Sequence, residues 1–311
     1  MIDHEIEDHD RGLAHDLAVM NKVLERRRAL KWFAGAGTMA LMAGCGGSDD
    51  STATTTTSSS ATTTATPTPT TTATPAATPT PTPTATTSTT AAQCIVDPTE
   101  TAGPYPADGT NTSGGSTSNV LTANGVVRSD IRASFLTTTT VATGVLVKLT
   151  LTVVNVNAAC APLAGYAVYL WHADRQGHYS LYSGATNESY LRGVQVTDAN
   201  GQVTFTTIYP ACYDGRWPHM HFEVFSSLSN ALGGRYAVLT SQLALPAATN
   251  SAVYADTATY PSSTSNYARV SLSSDNVFGD NTAAQIAQQT PTMTGSPSAG
   301  YTGSAIIGVA R

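Results

Sequence analysis

Charge is scarce in this chain. Asp, Glu, Lys and Arg make up 12% of its 311 residues, acids outnumber bases by 21 to 15, and the bases form no stripe. Recognition of a phosphate backbone needs such a stripe, and a formal charge of −6 opposes it, so no nucleic-acid partner is expected. An apolar run long enough to span a bilayer is also missing, since the run from Trp32 to Ala43 is too short. From Ser48 to Thr90 almost every residue is Thr, Ser, Ala or Pro. With so little apolar surface to offset its ordering entropy, such a segment reads as a spacer. Beyond it no stretch shows a long helical period, which excludes a helical bundle. Cysteine is limited to Cys45, Cys94, Cys160 and Cys212.

What the chain does have is β pattern. Val145, Val147, Leu149, Leu151 and Val153 alternate with Leu146, Lys148, Thr150 and Thr152, which predicts a long half-buried strand. Tyr166 to His172 reads as a second strand. Asp198-Ala199-Asn200-Gly201 is a turn feeding a third, Gln202 to Ile208. A fourth carries the histidines discussed next, and Tyr236 to Leu245 is the fifth. Asn281 to Gln289 reads as one short helix. Strands at this spacing predict a mainly β domain, an antiparallel β-sandwich, over residues 93–311.

The chemistry concentrates between Thr206 and Val224, where Tyr213, Arg216, His219 and His221 fall close together. On a strand, successive side chains point to opposite faces, so His219 and His221 share one face while Met220, Phe222 and Val224 share the other. Two imidazoles over an apolar row make half of a metal site. Gly215 and Pro218 punctuate the lead-in, so a turn folds Tyr213 back towards the strand. Glu223 lies on the histidine face too, which leaves open a site of two histidines and one carboxylate.

Residues 1–45 read as an export address. Arg26, Arg27 and Arg28 before Ala29-Leu30-Lys31 resemble a twin-arginine signal, and Met42-Ala43-Gly44-Cys45 resembles a lipobox whose cysteine becomes lipidated. The protein is then expected to be exported and held on the outer face of the cell membrane through that anchor alone, or secreted. Ahead of the arginines, Leu13, Leu17, Met20 and Leu24 form a helical stripe. Residues 46–92 are the linker. Outside the cytoplasm thiols tend to pair. With Cys45 taken by lipid and Cys212 beside Tyr213, the expected disulfide joins Cys94 and Cys160, which flank the first strands.

Several segments together resemble the intradiol ring-cleavage dioxygenases, the family of protocatechuate 3,4-dioxygenase and the catechol and hydroxyquinol dioxygenases. They are Thr99 to Tyr105 (TETAGPY), Tyr169 to Ser180 (YLWHADRQGHYS), Leu191 to Pro210, the Tyr-Arg-His-His run, and Leu239 to Leu243 (LTSQL), in matching order from Cys94 to about Asp280. The resemblance implies one non-haem Fe(3+) per chain, held by Tyr179, Tyr213, His219 and His221. Phenolate oxygens are hard anionic donors suited to the ferric state. It implies a catechol-type substrate and O2, with the ring cleaved between its two hydroxylated carbons to a cis,cis-muconate. Tyr213 is the ligand that leaves and helps take up a substrate proton, Arg216 stabilises charge on the ring, and Gln242 and Tyr105 line the substrate pocket. Asp97 and Asp130 are further candidates for its mouth. The alternative is a non-catalytic cell-surface sandwich that binds catecholic compounds or ferric chelates. A purely structural stalked sandwich is a third reading, and the sequence sets no oligomeric state.

Overall fold

The computed structural model describes residues 94–233 and 236–311. The export segment, Cys45 and the linker lie outside the described residues. The strands are β1 (Asp108–Ser113), β2 (Ser116–Asn119), β3 (Leu146–Asn155), β4 (Ala161–Pro162), β5 (Ala167–Trp171), β6 (Arg192–Val196), β7 (Gln202–Ile208), β8 (His219–Phe225), β9 (Leu239–Ala244), β10 (Thr292–Ser296) and β11 (Gly300–Val309). Four short helices join them: α1 (Leu228–Leu232), α2 (Ala247–Val253), α3 (Ser263–Tyr267) and α4 (Ala283–Gln289). None of these is long and apolar enough to cross a membrane.

Two sheets face each other. One runs β10-β11-β3-β4 with β7 also paired to β3, and the other runs β6-β5-β8-β9. The alternation in β3 does what the pattern predicts: Val147, Leu149, Leu151 and Val153 are buried, and Leu146 and Lys148 are exposed. They meet Val168 and Leu170 of β5 and Met220, Phe222 and Val224 of β8 in the main core. Burying each such side chain contributes roughly 1.5–3 kcal/mol, so this layer carries the sandwich. The turn before β7 is closed by Asp198, whose Oδ1 accepts the N–H groups of Asn200 and Gln202, both at 2.8 Å. Gly201 there has φ +72°, a region open to glycine at no steric cost. Thr282 and Gln285 form a capping box that starts α4.

The sandwich is not wholly antiparallel. Strand β11 runs parallel to β3 from Tyr301↔Val147 to Val309↔Asn155. Its inward residues include Gly303 and Ala305, too small to mark a strand by hydrophobicity. The fifth strand is also shorter than the pattern predicts, beginning at Leu239. A third difference matters more for the site: β8 is buried on both faces. Its outer face lies under a second cluster in which Tyr169 and Trp171 of β5 pack with Tyr179, Tyr182, Val120 and Leu121 from the covering loops.

The structure joins Cys94 to Cys160, with Cα atoms 6.1 Å apart, which ties residue 94 to the turn between β3 and β4. Asp97 follows closely, buried, with Oδ2 accepting the N–H of Gly308 and Nε2 of Gln288. Burial raises its pKa to about 7, against 3.8 for a free side chain. The unfolded chain ionises first, so the group's stabilising effect is complete below the unfolded value and disappears as pH climbs towards the folded one. Asp97→Asn removes that dependence, and the variant's melting temperature is expected to fall less than the parent's from pH 4.5 to 8. Equal slopes would contradict this account of Asp97.

Candidate metal centre and its surroundings

Strand β8 sets the first two donors. His219 and His221 project from its outer face, away from the sandwich core, and both are almost fully buried. Trp171, the cross-strand neighbour of His221, stacks on that imidazole at 4.9 Å and 9°, and Tyr169 stacks on Trp171. The indole fixes the plane of the ring. His219 is fixed differently: its Nδ1 lies 2.6 Å from the carbonyl of Trp217 and donates to it, which leaves the lone pair on Nε2. Burial holds both imidazoles well below their usual pKa, with Arg216 adding to the effect on His219 and the His219 ring adding to it on His221. Both are therefore neutral and able to act as ligands.

Tyr179 arrives on a loop built by Asp174. The Asp174 Oδ1 accepts the N–H groups of Gln176 (2.8 Å) and His178 (3.0 Å), and Tyr190 donates to Oδ2 (2.9 Å). Gly177, at φ +94°, lets this loop run close to Tyr213; a Cβ there would sit 3.3 Å from the Tyr213 Cβ. Tyr213 itself lies on the turn before β8, opened by Gly215 at φ +76°. It is half-buried, whereas Tyr179 is enclosed. Burial pushes the Tyr179 phenol up to about 12. A nearby cation is what would ionise it at neutral pH.

The four donor atoms converge. Tyr179 Oη is 3.4 Å from Tyr213 Oη, 3.3 Å from His219 Nε2 and 3.1 Å from His221 Nε2. Tyr213 Oη is 3.0 Å from His219 Nε2, and the two Nε2 atoms are 3.2 Å apart. These five separations are short enough for all four atoms to reach one ion at the roughly 2.0–2.2 Å of metal–imidazole and metal–oxygen bonds. The bare Nε2 of His219, facing a second imidazole Nε2 and two phenol oxygens, also fits a cation better than a network of protein hydrogen bonds. The residues present fit a ferric ion.

The carboxylate alternative does not assemble. Glu223 lies on the histidine face but is paired across the sheet with Thr240, whose hydroxyl donates to it at 3.1 Å. Among the described residues no group of three or more His, Cys, Asp or Glu is arranged to hold a metal. The phenols complete the set.

Arg216 lies beside this cluster, 2% exposed, with Nη1 3.5 Å from His219 Nε2. Its Nε donates to Asp275 Oδ2 at 2.9 Å and its Nη2 to Gln242 Oε1 at 2.8 Å. Burial works against the charge, and Asp275 with the Tyr213 phenol outweighs it, so the guanidinium stays protonated. Gln242 is fully buried and its Nε2 donates to the carbonyl of Thr101. Both ends of that amide are occupied inside the protein. Gln242 thus braces Arg216 and the entry segment. Tyr105 stands over the site, its ring 5.1 Å from that of Tyr179. Gly103, two residues earlier, passes so close that a Cβ would lie 3.3 Å from His221 Cε1.

Asp97 and Asp130 do not join the cluster. Asp130 is exposed and ion-paired with Arg132 at 2.6 Å. The sequence reading missed three residues that hold the site: Trp171, Asp275 and Arg192. The last is buried and donates to the carbonyls of Tyr105, Pro106 and Ser180 and to the hydroxyls of Tyr169 and Ser180, which clamps the Tyr105 and Tyr179 segments together. Trp171 and Arg192 were readable as members of quoted segments but not as supports.

Known proteins resemble this chain in one segment and in its fold. Residues 134–229, which include all four donors, match a family model described as a dioxygenase. An intradiol ring-cleavage dioxygenase from Tetranychus urticae is 23% identical, with a TM-score of 0.52, over 70% of this chain and 95% of that one. A second dioxygenase crystal structure gives the same identity and coverage with a TM-score of 0.51. The dioxygenase domain of a carbohydrate-binding fusion protein from Streptomyces sp. SirexAA-E is 22% identical, with a TM-score of 0.42, over 70% and 99%. The resemblance read from the sequence is borne out, both in the matched segment and in the fold.

Proposed function

We propose, from a dioxygenase-family segment set in the fold of the intradiol ring-cleavage dioxygenases, that this protein is a non-haem Fe(III) dioxygenase. It would cleave catechol-type rings between the two hydroxylated carbons with O2, giving cis,cis-muconate-type products. The convergence of Tyr179, Tyr213, His219 and His221 beside a buried arginine carries the reading. Those four residues would hold the ion, and bound ferric iron would supply the Lewis acidity that lets a catechol bind ionised and react with O2.

The chain's own residues do the rest. Tyr213 is the more exposed of the two phenols and sits on a glycine-opened turn, so it is the donor able to swing away and accept a catechol proton on Oη. Tyr179 and both histidines are buried and stay. Arg216 presents Nη1 where negative charge gathers on the ring, a fixed cation aimed at the transition state in a site shielded from water. The Tyr105 ring forms a wall over Tyr179. Oxygen uptake by the iron-loaded protein with catechol, accompanied by the ultraviolet absorbance of a muconate, tests the proposal. Tight catechol binding without uptake would instead favour the non-catalytic binder.

The proposal includes export and attachment through a lipidated Cys45. The address pattern of residues 1–45 supports it, as does the Cys94–Cys160 disulfide, a bond that persists in oxidising compartments. Two acyl chains are needed for stable anchoring, so Cys45→Ser is expected to release or misprocess the protein. Mass spectrometry of the mature N-terminus checks this, and an unmodified start elsewhere would contradict it.

A further inference from the structure

We propose that Asp275 is a positioning residue for Arg216, selecting which guanidinium nitrogen faces the reacting ring. The inference rests on the dioxygenase reading. A guanidinium offers five N–H groups in a planar fork, and only those aimed at the developing charge assist the reaction. Three contacts determine that aim. Asp275 Oδ2 takes Nε at 2.9 Å, its Oδ1 lies 3.5 Å from Nη2, and Gln242 Oε1 takes Nη2 at 2.8 Å. With that edge of the fork engaged, Nη1 is the nitrogen left beside His219 Nε2.

Asp275 is itself held rigidly. Its side chain is fully buried, and it accepts the N–H of Trp217 through Oδ2 (2.6 Å) and those of Val277 (2.8 Å) and Phe278 (3.1 Å) through Oδ1. The bond to Trp217 N matters doubly. Trp217 follows Arg216 in the chain, and its carbonyl fixes the His219 ring. One carboxylate therefore ties the arginine's backbone neighbour and its side chain to the same loop. A buried ion pair of this kind is weak evidence of added stability, because desolvation offsets much of the attraction. Orientation is the better account of its place here.

The test uses the iron-loaded full-length protein and three variants: Asp275→Asn, Arg216→Ala, and the double substitution. Asp275→Asn is expected to keep its iron, its colour and the colour change on anaerobic catechol addition. Its kcat should fall about 10- to 100-fold with KM little changed, as misplacement of a catalytic group by an ångström does. The double variant should be no slower than Arg216→Ala, because a residue acting through another adds nothing once that other is gone. A readout independent of turnover is the Arg216 Nε–H proton in metal-free protein, expected to exchange slowly in the parent and quickly in Asp275→Asn. Unchanged kcat in Asp275→Asn, or losses that multiply in the double variant, would overturn the proposal. Normal turnover in Arg216→Ala would also overturn it, whereas an iron-loaded parent that takes up no oxygen with catechol would fail the functional reading instead, a separable result. Should Asp275→Asn not fold, Asp275→Ser keeps a hydroxyl for the backbone N–H groups and gives the same comparison.

Discussion

Tyr179→Phe and His221→Ala each yield protein that retains little or no iron. Both residues are enclosed, and each supplies one of four atoms that surround a single point at separations of 3.0 to 3.4 Å. Losing an anionic oxygen or a neutral imidazole leaves three donors, and no fourth replaces it, since Glu223 is engaged with Thr240. Tyr213→Phe is expected to differ. Tyr213 is half-exposed on a turn, so its loss leaves the three enclosed donors in place, with some metal retained and most turnover gone. Metal content per chain, measured after identical loading, separates the three variants. Full iron in Tyr179→Phe and His221→Ala would remove those residues from the site.

Arg216→Ala lowers kcat by roughly 10²- to 10³-fold, the size of effect seen when one preorganised electrostatic donor is lost. The direction follows from position: Nη1 is next to the donor cluster, while Nε and Nη2 are engaged by Asp275 and Gln242. A residue that merely held substrate would raise KM at constant kcat, and the two patterns are distinguishable by steady-state kinetics. Arg216→Lys should rescue poorly. An ammonium cannot bond Asp275 and Gln242 through two edges and still present a third nitrogen to the ring. The colour change on anaerobic catechol addition survives in both variants, because the four donors are untouched. Unchanged turnover in the alanine variant would reduce Arg216 to a structural cation.

Much of this arrangement was legible because it rests on local pattern. The alternation of β3, the Asp198 turn, and the two faces of His219 and Met220 all follow from the period-2 geometry of a strand. The parts that were not legible depend on distant segments. The burial of the outer face of β8 arises from loops that carry Tyr105 and Tyr179, and nothing within β8 announces them. Strand β11 alternates Tyr301, Gly303, Ala305 and Ile307, a pattern diluted by its small members. Asp275 stands 59 residues from Arg216 in a serine-rich segment, yet it settles the orientation of the arginine. Gln242 is similar. Its place near the site was readable, whereas its commitment to Arg216 and Thr101 needed the fold.

Tyr179, Tyr213, His219 and His221 are proposed to form a ferric centre that takes up a catechol. Metal analysis of the purified domain combined with its visible spectrum, before and after anaerobic catechol addition, tests it most directly. About one iron per chain, a red-brown tyrosinate-to-iron(III) charge-transfer band, and a shift of that band when catechol binds are expected. Colourless protein that takes up only substoichiometric iron after loading, or a band indifferent to catechol, would contradict it.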